Sequence, residues 1–141
     1  MTMNREPKQE EGLTIVGTDG NLTFRTKLLG FIIRFARPDD THLILDFIRR
    51  LADYEKLSQD VVATEEVLRD SLFIKRQAEV IIGELNCRLA AFALFFHNFS
   101  TFLGKANLYL EDLFVDEGCR GPGLGKIMFS CLAWIAVERG C

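Results

Sequence analysis

The chain has 141 residues, 48% hydrophobic and 26% charged, which is the make-up of one globular domain rather than two. Seventeen Lys and Arg against twenty Asp and Glu leave a formal net charge of -3, excluding a nucleic-acid binder built on broad phosphate attraction. No apolar run approaches the roughly 20 residues that a membrane-spanning helix requires, and the polar stretch Met1–Glu11 lacks the apolar core of a secretory signal. A cytoplasmic setting is expected, with Cys87, Cys119, Cys131 and Cys141 as reduced thiols. They form no C-x-x-C pair and have only two histidines as co-ligands, so no metal is expected.

Residues 1–29 read as an N-terminal extension, and two alternatives stand for it. Thr18-Asp19-Gly20-Asn21 is a turn signal between Leu13–Val16 and Leu22–Phe24, which makes a weak hairpin; a flexible segment is the other reading. The main domain is expected over 30–141. Phe31–Phe35 reads as a strand, and Pro38-Asp39-Asp40 starts a helix with acidic residues at its positive end. Leu43, Ile44, Phe47, Ile48 and Leu51 follow at helical spacing. Thr64 caps a second helix with Val67, Leu68 and Leu72 on its apolar side. Glu79–Leu85 and Leu89–His97 are strands joined at Asn86-Cys87-Arg88, and Leu108–Val115 is a further strand. A helix from about Gly123 to Arg139 carries Leu124, Ile127, Met128, Cys131, Leu132 and Ile135 on one face.

The stretch that carries chemistry is Arg120-Gly-Pro-Gly-Leu-Gly-Lys126, between a strand and a helix. Glycines at 121, 123 and 125 let the backbone turn tightly and approach a ligand. The helix behind them offers unpaired N–H groups and a positive dipole end, and Arg120 and Lys126 add charge, so an anion site is expected. A Walker A loop would need Gly at 120 and Ser or Thr at 127, where Arg120 and Ile127 stand; a dinucleotide fingerprint would need Gly at 126, where Lys126 stands.

The loop, behind the Leu110-Glu-Asp-Leu-Phe-Val115 strand, resembles the GNAT acetyltransferase superfamily, whose Q/R-x-x-G-x-G/A loop binds the pyrophosphate of acetyl-CoA. Arg50-Leu-Ala-Asp-Tyr-Glu-Lys-Leu57, Thr64-Glu-Glu-Val-Leu68, Phe99-Ser-Thr-Phe-Leu-Gly-Lys105 and Tyr109-Leu-Glu-Asp112 resemble its diamine N-acetyltransferase group, which includes the spermidine/spermine and thialysine enzymes. The similarity runs from about Phe31 to Cys141. It implies an α/β (α+β) fold with a mixed, mostly antiparallel sheet and flanking helices. It also implies an N-acetyltransferase moving the acetyl group of acetyl-CoA to a primary amine of a small diamine- or amino-acid-like substrate, by direct attack in a ternary complex. No metal, nucleic acid or membrane enters that reading, and a homodimer is expected.

Residue by residue, the resemblance implies that the backbone of Leu113, Phe114 and Val115 pairs with the pantetheine arm. The amides of Gly121, Gly123, Leu124, Gly125 and Lys126 hold the pyrophosphate, with Arg120 beside them. Glu111 contacts the substrate amine and takes its proton, and Tyr54 and Glu55 line the substrate site. Glu55 reads equally as a solvated residue at a helix end. Because side chains alternate along a strand, Glu111 and Asp112 face the same way only if a bulge intervenes, and Glu111 is preferred. Ser100 and Phe102 stand where polyamine-specific members carry an acidic residue and a tryptophan, a version that resembles the thialysine type and the bacterial relatives more than strict spermine enzymes.

A strand feeding a helix usually returns to a parallel strand, and the sequence stops one residue after Gly140. The expectation is a domain cut short, without the C-terminal strands and the tyrosine that acts as general acid in the family. The alternative function is therefore a catalytically inactive CoA-binding or interaction fragment. His42 and His97 read as packing or surface residues, Cys119 as an inert loop thiol, and Phe92, Phe95, Phe96, Phe99 and Phe102 as core and sheet packing.

Overall fold

The structure, a computed structural model, describes residues 9–10, 12–16 and 22–141. Seven strands lie in sequence order in one sheet: β1 (Gln9–Glu10), β2 (Leu13–Val16), β3 (Thr23–Thr26), β4 (Phe31–Phe35), β5 (Glu79–Leu85), β6 (Arg88–Ser100) and β7 (Lys105–Val115). Every pairing among the described residues is antiparallel. Helix α1 (Thr41–Tyr54) and the short α2 (Glu65–Arg69) join β4 to β5, and α3 (Leu124–Glu138) follows β7.

Strand alternation divides the core in two. Phe31, Ile33, Ile81, Ala91, Ala93 and Phe95 face α3 and meet Met128, Cys131, Leu132 and Ile135. Ile82, Val80, Phe92 and Phe114 face the other way and meet Ile44 and Phe47 of α1 and Leu72. Phe47 stacks on Phe92 with ring centroids 5.1 Å apart. Leu13 and Phe24 are buried with the α3-side core, so the strands before residue 30 share that core. The turn at Thr18–Asn21 lies outside the described residues.

Two regions differ from the sequence reading. The second helix is one turn of α-helix running into a π-helical turn, Asp70–Ile74. Thr64 does cap it, accepting from the Val67 N–H at 3.2 Å, but Val67 is exposed and Leu72 alone on this segment is buried. The β6–β7 hairpin is longer at its tip than periodicity indicated, because Phe99 and Phe102 sit on it in solvent rather than in the core. Phe102 is 100% exposed.

The β5–β6 connection is a two-residue turn. Leu85 pairs with Arg88, and Asn86 and Cys87 both lie in the left-handed region, at φ 50° and 64°. Such turns match the twist of the flanking strands and favour Asn followed by Gly. Asn86 suits its position; Cys87 carries a Cβ where glycine would relieve strain. Cys87→Gly is expected to stabilise the fold by about 0.5–1 kcal/mol, read as a higher urea midpoint at unchanged m-value; a lower midpoint would refute this account of the turn.

Candidate functional site

Three chain ends converge at one edge of the molecule: the C-terminus of α1, the end of β7, and the glycine loop leading into α3. Helix α1 stops because Lys56 takes up a left-handed conformation (φ 60°), with the Leu57 N–H donating to Ala52 O at 2.8 Å. This closes the last turn and presents Tyr54 and Glu55 at its end. The three ends enclose a cavity of about 420 Å³ lined by Leu51, Tyr54, Glu55, Leu113, Phe114, Val115, Arg120, Gly121, Gly123, Leu124 and Gly125. Ten of these eleven residues are those singled out by sequence; Leu51 was read only as core. Glu111 and Lys126 belong to the same strand and helix but lie outside the lining.

The loop has the properties of an anion cradle. Gly121 and Gly123 sit at φ 116° and 85°, conformations that disfavour a side chain. Gly123 caps α3 with no side-chain hydrogen bond, and the first amide bond inside the helix is Ile127 N–H to Gly123 O at 3.2 Å. The amides of Leu124, Gly125 and Lys126 therefore have no intrahelical partner. Helix α3 also has no acidic residue in its first turn, whereas α2 has Glu65 and Glu66. Lys126 there opposes the helix dipole, an arrangement that makes electrostatic sense once an anion sits between them.

Arg120 lies across the cleft. Its guanidinium is 4.8 Å from the Tyr54 ring centroid and 5.6 Å from that of Phe114, and its Nε donates to Val115 O at 3.1 Å. It is thus held by an aromatic pair and a strand carbonyl, within the same cavity as the loop amides. The outer edge of β7 has no strand partner among the described residues. Edge backbone groups of Leu113–Val115 other than Val115 O, which Arg120 occupies, consequently remain available for an extended ligand.

The carboxylates show what strand alternation had hidden. Leu94 pairs with Asp112 and Phe95 with Leu110, leaving Glu111 as an extra residue on β7. This is a bulge. It shifts the alternation: Leu108 and Leu110 pack on the α3 side, as do Leu113 and Val115 beyond it. Asp112 is half-buried, and burial raises its carboxyl above the ordinary range, with the charges of Glu111 and Glu55 pushing it further. Glu55, Glu111 and Asp112 thus share one negative field, although no His/Cys/Asp/Glu group among the described residues is drawn together tightly enough to hold a metal ion. Asp112 was set aside by sequence; the displaced leucine spacing, 108 and 110 then 113 and 115, was the signal that could have retained it.

His97 lies 3.4 Å from Arg139, which pairs with Glu79 at the other end of the sheet. Near it is a larger cavity of about 600 Å³, walled by Phe35, Phe73, Val80, Trp134 and Ile135 among others. Its lining carries charge from Arg76, Glu79, Glu138 and Arg139 but includes none of the glycine loop, which lines the smaller cleft. Among the described residues no helix is long and apolar enough to cross a membrane.

Comparison with known proteins agrees with the cleft. Residues 46–141 match the model of the Acetyltransferase (GNAT) family. A thialysine N-epsilon-acetyltransferase of Bos taurus is 37% identical over 120 residues, covering 78% of this chain and 69% of that protein. One from Caenorhabditis elegans is 33% identical over 112 residues, covering 78% and 68%. In fold, the chain resembles a predicted acetyltransferase with acetyl-CoA from Clostridium acetobutylicum, with a TM-score of 0.66 and 22% identity over 78% of this chain and 75% of that one. The family match, the identity to the thialysine enzymes and the strand–loop–helix geometry converge: this chain belongs to the GNAT family of acetyltransferases.

Proposed function

We propose that the chain transfers the acetyl group of acetyl-CoA to a primary amine of a small diamine- or amino-acid-like substrate, by direct attack in a ternary complex. The observation that carries this reading is the polarity around the cleft: a cationic, amide-rich loop lines it together with Glu55, and the Glu111 and Asp112 carboxylates lie just beyond that lining, close enough for Glu55 and Glu111 to act on Asp112. The amine class agrees with the thialysine enzymes among its relatives.

In this reading the amides of Gly121, Gly123, Leu124, Gly125 and Lys126, with Arg120, hold the pyrophosphate, and the backbone of Leu113, Phe114 and Val115 pairs with the pantetheine arm. Bound acetyl-CoA supplies the acyl thioester. An alkylammonium has a pKa near ~10.4 and cannot attack until it loses a proton. Glu111 attracts the cation and takes that proton, directly or through water. Tyr54 and Glu55 line the amine's approach, and a second cationic group of a diamine has Asp112 and Glu55 to meet it. A cytoplasmic homodimer completes the proposal.

Gly125 provides the test. A Cβ there would meet Val115 Cγ2 at 3.8 Å, an ordinary contact, so packing does not require glycine. Alanine in the first turn of α3 should be neutral or stabilising by up to about 1 kcal/mol from helix propensity, yet it places a methyl group on the cleft wall. Gly125→Ala is expected to weaken acetyl-CoA binding about tenfold by calorimetry, by removing close backbone approach, and to slow thiol release with thialysine or 1,3-diaminopropane. Wild-type protein that fails to bind acetyl-CoA, or a variant that binds it equally well, would overturn the proposal.

A further inference from the structure

We propose that Arg50 is a positioning residue for the cofactor loop: through its ion pair with Asp116 it fixes the turn from which residues 120–126 depart. The inference rests on the reading of that loop as the acetyl-CoA cradle, and adds to it two residues that touch no ligand in that reading.

The geometry centres on one carboxylate. The Asp116 N–H donates to Ala90 O at 2.8 Å, tying the end of β7 to β6. Its Oδ1 accepts the Gly118 N–H at 3.3 Å, and its carbonyl accepts the Cys119 N–H at 2.8 Å, which together shape the tight turn Glu117–Cys119. The same Oδ1 receives Arg50 Nη2 at 2.7 Å. Arg50 comes from α1, one turn before Tyr54. Its guanidinium is 5.4 Å from the Phe47 centroid and 5.5 Å from that of Phe114, while Asp46 lies 3.8 Å away as a weaker partner. Phe114 also carries Arg120 on its ring. One cluster therefore joins the end of α1, the end of β7 and the root of the loop.

That anchoring matters because, apart from the Arg120 side chain on Tyr54, Phe114 and Val115 O, the loop has little else to hold it. Beyond Cys119 the chain passes through Gly121 and Gly123, with nothing within 4 Å of where their Cβ atoms would be. Its course is set by α3 at one end and the Asp116 turn at the other. Amides that must converge on a pyrophosphate bind well only if they are held in place beforehand, and freedom at the root would have to be lost on binding. Arg rather than Lys suits the place, since a planar guanidinium can lie against two rings and still donate to a carboxylate. Sequence offered no hint of the pair, whose members are 66 positions apart and look like an ordinary helix charge and a strand-end Asp.

Arg50→Met keeps an unbranched stem over Phe47 and Phe114 while removing the charge, and Asp116→Asn keeps an acceptor for Gly118. Each is expected to raise KM for acetyl-CoA about tenfold through lost preorganisation, with kcat and the amine KM changed no more than about threefold. The double variant should be no worse than either single one, because they remove the same interaction, and Arg50→Lys should recover part of the loss. Variants that keep wild-type KM for acetyl-CoA while their unfolding midpoint falls would show a purely structural pair and overturn the proposal. Wild-type protein that binds no acetyl-CoA by calorimetry would instead overturn the reading of the site itself, and this inference with it; the two failures appear in different measurements.

Discussion

Replacing Glu111 with Gln is expected to lower kcat/KM for a diamine substrate about 10²-fold or more, the usual size of a lost general base, with acetyl-CoA affinity held within about twofold. The substitution is nearly isosteric and the residue is exposed in the bulge, so the fold should be unaffected. The pH profile carries more information than the rate alone. Asp112 is raised by burial first and then by the charges of Glu111 and Glu55. If full activity requires the cluster ionised, the acid limb of wild-type activity lies above the ordinary carboxylate range. Gln at 111 removes one repelling charge, so Asp112 ionises more readily and the limb moves to lower pH even as the plateau drops. Asp112→Asn should move the limb down as well, with a smaller loss of plateau. A carboxyl raised in the folded state also costs stability at neutral pH, so Asp112→Asn should unfold at higher urea near pH 7. An unchanged rate and profile in Glu111→Gln would remove Glu111 from the proton path.

The role of Asp112 marks where sequence reading stopped short. Periodicity located α1, α3 and the central strands because their apolar residues recur at the helical and strand repeats, and the glycine loop is legible because its chemistry lies in consecutive residues. A bulge breaks the repeat on which that reasoning depends. Its trace, two leucines at even positions followed by Leu113 and Val115 at odd ones, is visible only once alternation is followed through the whole strand. Phe99 and Phe102 differ for the opposite reason: hydrophobic identity does not imply burial, and on the hairpin tip both are exposed. Partnerships across the chain are harder still. The helical pattern says which face Arg50 occupies but not that Asp116 will arrive beside it.

Arg34 is the sharpest such case, and it carries the largest expected effect on stability. It is the one charged residue of the strand Phe31–Phe35, and its side chain is only 16% exposed. Nη1 and Nη2 clasp Asp40 at 2.8 and 3.0 Å, and Nε donates to Glu84 at 2.9 Å. Asp40 also accepts the Arg37 N–H at 2.7 Å, so one carboxylate locks β4 to the start of α1. Burial alone would raise the Asp40 carboxyl; the Arg34 and Arg37 hydrogen bonds outweigh it and hold the group below its ordinary value. The sign then follows. A carboxyl depressed in the folded state contributes stability above its unfolded pKa of ~3.9, and that contribution is lost as pH falls through the folded value. Asp40→Asn is expected to cost about 2–4 kcal/mol at pH 7, somewhat below the range for a fully buried pair because both partners retain some solvent contact. That is a large share of the 5–15 kcal/mol typical of a domain. Urea unfolding at pH 7 and again near pH 3 provides the check. The gap between wild type and variant should shrink at the lower pH, because below about pH 3.9 the unfolded wild type takes up a proton that the folded Asp40 resists, and the variant has no such group. A gap that stays constant with pH would mean the loss comes from altered packing at the β4–α1 junction and not from the charge. In that case the bidentate clasp would contribute little to joining the sheet to the helix that presents Tyr54 and Glu55.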